Sequence, residues 1–327
     1  MKSNSIYKAK KVLVAGSAGF IGGRLVAELV NRGACVRGVF REKIPNPKIQ
    51  NVEYVCADLT TRNDCLAVTE GVDFVFMAAA VTSGAAVIEN QPLQHLNPNL
   101  IMNTLMLEAA HTNMVKRFCF ISSNVVYPVS EAPMKESDAS YEFFRKYHIV
   151  GWMKRFSEVL CEIYSDRVVP RMPTLIIRPG NLYGPFDKFS DLEAKVIPSL
   201  IKRASNTSDH LVVWGDGRDI KDFLYIDDFI DALLLVFEKA ELPLVINIAS
   251  GESVTINHVV ENILNILGRS DLKVLYDHRK PTMIPIRKID TGLLRAEFGW
   301  RPKIGLYQGL SQTIDWYKNH LHFRNGR

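Results

Sequence analysis

The chain is 327 residues long, and no apolar run in it approaches the roughly 18 residues needed to cross a bilayer, so no membrane association is expected. Its start, MKSNSIYKAKKVLVAG, has no apolar stretch ending in a small-residue cleavage site, which excludes a secretory leader and leaves a short basic lead-in to a strand. The five cysteines (Cys35, Cys56, Cys65, Cys119, Cys161) are odd in number, scattered and never spaced as C-x-x-C. They read as buried, reduced thiols in a reducing, cytoplasmic setting. No group of His, Cys and carboxylates has metal-ligand spacing, so no metal is expected. The net charge of +5 comes with no basic tract and no basic stripe interleaved with aromatics. That balance suits an anionic small ligand and excludes nucleic acid. There is no internal repeat and no low-complexity linker.

With 47% apolar and 23% charged residues, the composition is that of an ordinary globular protein large enough for a substantial core. The first half alternates apolar strands with amphipathic helices. KVLVAG (11–16), CVRGVF (35–40), VEYVCAD (52–58), DFVFMAAAV (73–81), RFCFISS (117–123) and TLIIRP (174–179) read as strands. Helices are predicted over 20–33, 99–113 and about 141–166. Continuous apolar strands separated by helices imply an α/β architecture with a parallel, doubly wound sheet covered on both faces. Beyond Gly184 the elements become shorter and mixed. The expectation is a dinucleotide-type domain over 1–183 and a smaller C-terminal mixed α/β substrate-binding domain over 184–327, with a ligand cleft between them.

GSAGFIG lies between the first strand and the first helix. Glycines there permit a tight turn and close approach of a pyrophosphate, which then faces the free amides of a helix N-terminus. Strand before and helix after support a Rossmann-type dinucleotide loop formed by Gly16, Ser17, Gly19, Phe20, Ile21 and Gly22. A structural turn is the competing reading.

The G-x-x-G-x-x-G spacing resembles the extended short-chain dehydrogenases/reductases, the NAD-dependent epimerase/dehydratase family that modifies nucleotide sugars. Further blocks along nearly the whole chain carry the likeness: Asp58-Leu59, Ala78-Ala79-Ala80, Ser122-Ser123 with Tyr127, RPGNLYGP (178–185), DFLYIDD (222–228) and GWRPKIGLYQGL (299–310). Met77 stands where a His is common. The resemblance implies cofactor contacts from Asp58, Leu59, Ala78, Ala79, Ala80 and Pro179, and some chain crossover between the two domains. It also implies a homodimer built on the 99–113 and 141–166 helices. At the end of the second strand an acid would bind the adenosine ribose and repel a 2′-phosphate. Here Phe40 takes that place and Arg41 follows, either to pair a 2′-phosphate or as a solvated surface arginine. NADP(H) is favoured over NAD(H).

Family chemistry uses a Ser or Thr, a Tyr and a Lys. The Tyr exchanges a proton with a sugar hydroxyl, and the Lys binds the nicotinamide ribose and lowers the Tyr pKa. Ser123 aligns as the Ser and Lys154 as the Lys. The tyrosine position is Val150, which has no proton to give. Tyr147, one turn earlier, is the substitute only if the pocket is displaced by a turn; otherwise it packs or lines the pocket. His148 is expected on the surface. Asn124 and Val125 occupy the places of the acid pair in the family's 4,6-dehydratases, so loss of water is not expected. The motifs are most similar to those of members that epimerise carbons beside a ketone on a GDP-sugar using a Cys and a His. Val125 and Lys195 stand at those two places. Lys195 is an acid only if buried, and otherwise neutralises charge.

On the substrate side, Asn181 matches a family contact, Lys221 replaces a customary Arg, Arg218 compensates or is a surface cation, and Arg287 matches an Arg that grips phosphates. Trp214, Met283 and Met102 read as packing residues. The expected activity is NAD(P)-dependent hydride transfer at a ring carbon, C4, of a nucleotide-diphospho-sugar. Two alternatives stay open: a C4 epimerase that retains NAD, and a non-catalytic dinucleotide-binding protein.

Overall fold

The structure, a computed structural model, describes residues 5–82, 91–191, 193–280 and 283–320. In chain order the elements are β1 (Lys11–Ala15), α1 (Phe20–Asn31), β2 (Cys35–Phe40), β3 (Val52–Cys56), α2 (Arg62–Thr69), β4 (Phe74–Met77), α3 (Pro92–Thr112), β5 (Arg117–Ile121), α4 (His148–Asp166), β6 (Thr174–Pro179) and β7 (Asn181–Tyr183). There follow α5 (Val196–Asn206), β8 (His210–Trp214), β9 (Ile220–Tyr225), α6 (Ile226–Lys239), β10 (Leu244–Ile248), β11 (Ser253–Thr255), α7 (Ile256–Leu267), β12 (Lys273–Asp277), β13 (Ile286–Arg287), α8 (Gly292–Phe298) and α9 (Leu306–His320).

Seven strands form one parallel sheet in the order β10-β6-β5-β4-β1-β2-β3. Side chains alternate across β1. Val12 and Val14 join the core under α1 and α6, whereas Leu13 and Ala15 join the core under α3 and α4. Burial on both faces is why these strands read as unbroken apolar runs. The strand order reverses between β1 and β4, which opens a crevice at the C-terminal edge of the sheet, the usual ligand position in such folds.

Several expectations change. LVINI, assigned by its position to the smaller domain, is the seventh strand of the large sheet and pairs in parallel with β6. Its Ile246 and Ile248 are fully buried, so its apolar run fits a site between two helical layers. The third helix begins at Pro92, seven residues before the predicted start at 99, because proline at a first helical position costs no hydrogen bond. The fourth begins at His148 rather than near Tyr141. The preceding chain folds back, through a short 3₁₀ turn at Arg145–Tyr147. Phe143 lies so close over Gly151 that a Cβ there would meet its ring at 2.4 Å. Not all the cysteines are buried: Cys35 and Cys56 are exposed, and all five are unbonded.

The smaller unit joins β9 to β11, β13 and β7, with β8 and β12 as a separate parallel pair. Its own core gathers Tyr183, Phe223, Ile256, Val259, Leu310 and Ile314.

One buried carboxylate ties the sheet edge to α4. Fully buried Glu158 accepts from Ser122 Oγ at 2.5 Å, from Arg178 Nε at 2.9 Å and Nη2 at 2.8 Å, and from Arg155 Nη1 at 3.2 Å. Arg178 also donates to Tyr127 Oη at 3.2 Å and to the Glu136 carbonyl at 2.7 Å. Breaking a buried pair leaves an uncompensated charge, so Glu158→Ala is expected to cost about 3–5 kcal/mol. Urea unfolding of the variant against the parent protein measures this; a loss below about 1 kcal/mol would contradict it.

Candidate active site

The glycine loop is built by close backbone approach. The amides of Gly16 and Ser17 both donate to the Val39 carbonyl at 2.9 Å, and Ser17 Oγ donates to the same oxygen at 3.1 Å. Gly16 has φ +80°, and a Cβ there would meet Ala79 Cα at 2.8 Å. A Cβ on Gly22 would lie 2.1 Å from the Gly16 carbonyl oxygen. The loop therefore tolerates no side chain at either place; it sets Gly16 against Ala78 and Ala79, and folds Gly19 and Gly22 back onto Gly16, with Ser17, Phe20 and Ile21 between them in the chain. Gly19 caps α1 without a side-chain hydrogen bond, and no acid lies in the first turn, so the helix amides are free for an anion. A backbone cradle of this size at a free helix N-terminus fits a pyrophosphate.

Asp58 accepts from Thr60 N at 2.9 Å and Thr60 Oγ1 at 2.7 Å, and these hydrogen bonds hold its carboxyl below the usual range. Leu59 beside it is buried. Arg41 is half-exposed and pairs with Glu42 at 2.9 Å. Pro179, at the end of β6, accepts from Asn124 Nδ2 at 2.9 Å through its carbonyl.

Ser123, two residues beyond β5, caps a short 3₁₀ turn, with its Oγ accepting from Val125 N at 3.3 Å. Lys154 Nζ donates to the Ile121 carbonyl at 2.8 Å and lies 4.9 Å from the centre of the Phe120 ring. Burial pulls its ammonium down to about 8, against the opposing charges of Glu158 and Cys161. Lys154 is thus anchored to the last residue of β5, two residues before Ser123 in the chain. Val150 is buried in an apolar cluster with Val125, Met153 and Ile284. Tyr147 packs against that cluster, and burial raises its hydroxyl pKa. Its place is the cap of α4, so the face it was expected to share inside a longer helix does not exist there. His148 is exposed, as expected of a surface residue.

On the facing unit, Asn181 Nδ2 donates to the Asp222 carbonyl at 2.9 Å. Lys221 donates to Asp219 at 3.3 Å and to the Ile284 carbonyl, and burial lowers its pKa. Arg287 is 2% exposed and donates to the Pro128 carbonyl at 2.8 Å and the Tyr127 carbonyl at 3.0 Å. Its Nε has no partner among the described residues, and burial lowers its pKa to about 10. Arg218 is highly exposed, near Asp216, apart from these groups. Lys195 is exposed too, so the burial that an acid role requires is missing. Its Nζ sits 6.0 Å from the centre of the Phe20 ring, which carries its charge to the glycine loop. Trp214 is not core: it is 45% exposed, with Arg203 and Lys280 over its ring.

Two groups escaped sequence reasoning. Asp187 is buried with one oxygen unpartnered among the described residues. Burial raises its pKa against the charges of Lys195 and Lys188. His95 is buried on α3, one turn before Asn99. The signal available was its i, i+4 spacing to Asn99 on an inward face. Among the described residues no group of three or more His, Cys, Asp or Glu side chains is arranged to hold a metal, and no helix is long and apolar enough to cross a membrane.

The model of the NAD-dependent epimerase/dehydratase family matches residues 12–249. The chain belongs to this family. It is 30% identical to the putative GDP-L-fucose synthase 2 of Arabidopsis thaliana, over 97% of this chain and 95% of that protein. It is also similar to the crystal structure of UDP-glucose 4-epimerase from Thermotoga maritima with UDP-glucose, with TM-score 0.86 and 25% identity over 95% of this chain and 99% of the other. MoeE5 in complex with UDP-glucuronic acid and NAD gives TM-score 0.83 and 26% identity over 95% and 100%.

A lysine with a pKa near 8 loses its charge just above neutrality. Dinucleotide affinity, followed by quenching of protein fluorescence, is therefore expected to fall about tenfold per pH unit above about 8. Lys154→Met is expected to bind weakly and without that dependence; an identical pH profile in the variant would contradict the assignment.

Proposed function

We infer that this protein transfers hydride between a nicotinamide dinucleotide and a ring carbon, C4, of a nucleotide-diphospho-sugar, without the family's tyrosine. The observation that carries this reading is Lys154. An ammonium desolvated at the end of β5, with one carbonyl partner, is costly to keep charged and gains most when it meets a polar ligand. A bound nicotinamide would accept or give up the hydride. Lys154 would hold the ribose that carries it, Ser123 would orient the sugar hydroxyl, and the glycine loop would hold the pyrophosphate. Asn181, Lys221, Arg287 and the exposed Lys195 and Arg218 offer donors and cations for the sugar diphosphate. The relatives' names support this substrate class: one is a GDP-L-fucose synthase, and two solved neighbours hold UDP-sugars.

Phe40 and Arg41 at the end of β2 favour NADP(H), since no carboxylate stands there to repel a 2′-phosphate. Homodimerisation is supported by Trp152, Phe156 and Ile163, which expose apolar surface along α4, and by Leu93 and Ile101 on α3. Side chains at such spacings form one helical stripe that a second copy would cover.

Nicotinamide absorbance in a single turnover at high enzyme, with NADP and then NAD against GDP-, UDP-, CDP- and dTDP-sugars, tests the activity. A sugar-dependent change in reduced cofactor is expected. A sugar returned with C4 inverted and no net change would indicate the epimerase, and binding without any sugar chemistry would indicate a non-catalytic binding protein. Arg41→Ala is expected to weaken NADP(H) binding roughly tenfold and to leave NAD(H) binding unchanged, as loss of a charged phosphate partner should. Phe156→Lys is expected to yield monomer in sedimentation velocity; an unchanged dimer would move the interface elsewhere.

A further inference from the structure

We propose that His95 is the proton acceptor and donor of this active site, in the role that Val150 leaves without a hydroxyl. The inference rests on the reading that the site oxidises or reduces a sugar carbinol. His95 is 5% exposed, and neither ring nitrogen has a hydrogen-bond partner among the described residues. Buried imidazoles normally find a partner for at least one nitrogen. Two unpartnered nitrogens point to a ligand that supplies the missing bond.

The position fits. α3 and α4 both connect parallel strands and so run side by side in the same direction. Asn103 Nδ2 donates to Ser157 Oγ at 2.9 Å, which fixes their register. Two turns toward the N-termini, the same register sets His95 beside the turn that carries Val150. The next residue, Leu96, packs in the Val150 cluster. One turn further on, Asn99 holds Val81 in the loop after β4, donating to its carbonyl and accepting from its amide, each at 2.9 Å. His95 therefore sits at the C-terminal edge of the sheet, where Ala78–Ala80 and the glycine loop converge. The charged group that acts on it is Lys154 on α4; Tyr147, at the cap of α4, and Ile284, whose carbonyl accepts from Lys221, lie with the neighbouring Leu96 in the Val150 cluster. Burial first, and then the Lys154 charge, lower the His95 pKa and keep the ring neutral, ready to take a proton.

In the oxidising direction the C–H bond of the carbinol would break, and a bound nicotinamide would supply the acceptor for the hydride it releases. The hydroxyl proton passes to an imidazole nitrogen, and the C=O bond forms. The sugar is oxidised, the cofactor is reduced, and the imidazolium returns its proton to water. In the reducing direction the imidazolium gives its proton to the forming alkoxide.

The test uses the whole protein and three substitutions. His95→Phe fills the space with an aromatic ring and removes the unpartnered nitrogens, so its melting temperature is expected to stay level or rise. Its single-turnover rate, and that of His95→Gln, is expected to fall at least about 10²-fold while dinucleotide affinity changes less than about twofold. Val150→Tyr restores the family's hydroxyl, and in that background His95→Phe is expected to cost less than about threefold, since neighbouring groups that share one role are not additive. An active parent protein whose His95→Phe variant keeps its rate would falsify the proposal and leave the proposed function standing. A parent protein that moves no hydride with any sugar refutes the proposed function instead. NMR then reads His95 directly, through the imidazole C–H signal missing from His95→Phe. A titration below the ordinary value of about 6.5 that moves on adding UDP-glucose and NADP supports the assignment, and a signal that ignores both overturns it.

Discussion

The carboxylate of Glu158 is the interaction on which the site depends. It lies one turn beyond Lys154 on α4, accepts from Ser122 at the end of β5, and accepts twice from Arg178 on β6. Ser122 precedes Ser123, and Arg178 precedes Pro179. One buried group thus sets the lysine, the serine and the last strand of the cofactor crevice relative to one another. Arg178 extends the link through Tyr127, whose hydroxyl donates to Asn247 on β10 at 2.6 Å. A network of this kind stabilises most when its members are satisfied, and here both Glu158 oxygens and all three Arg178 nitrogens have partners. It acts on geometry as much as on energy, since the helix cannot slide along the sheet without unpairing a buried charge.

Around that frame the site is unevenly polar. The floor carries Lys154 with a carbonyl and an aromatic face as partners, and the wall where a tyrosine would stand is apolar. Buried polar atoms without partners among the described residues include both ring nitrogens of His95, Asp187 Oδ2 and Arg287 Nε, and also single atoms of Arg155, Ser205 and Trp316. Unpaired buried groups destabilise the free protein and gain when a ligand arrives. Val150 removes one proton carrier, and the scaffold retains the groups that hold and orient.

The glycine loop was legible because its constraint is local: Gly16 and Gly22 have no room for a Cβ, and the strand and helix that flank them follow in sequence. Ser123 and Lys154 were legible through the resemblance of their segments to the family's motifs. LVINI was misassigned because a buried strand carries no mark of which sheet it joins. The start of α4 was misread because Phe143 folding onto Gly151 is a contact, not a periodicity. Trp214 was misread because its neighbours, Arg203 and Lys280, come from elements distant in the chain. For His95 the sequence offered only its spacing to Asn99, since its meaning lies in the nitrogens left unpartnered after folding.

By itself, the sequence determined the doubly wound parallel sheet, the dinucleotide cradle and the absence of a tyrosine four residues before Lys154. These follow from backbone sterics and short-range periodicity, which act between residues close in the chain. The tertiary structure alone decided which polar groups end buried without a partner, how far Lys154 is desolvated, and that Glu158 joins three elements at one point. Desolvation and hydrogen-bond satisfaction depend on every atom that arrives from elsewhere in the chain, and no local pattern records them.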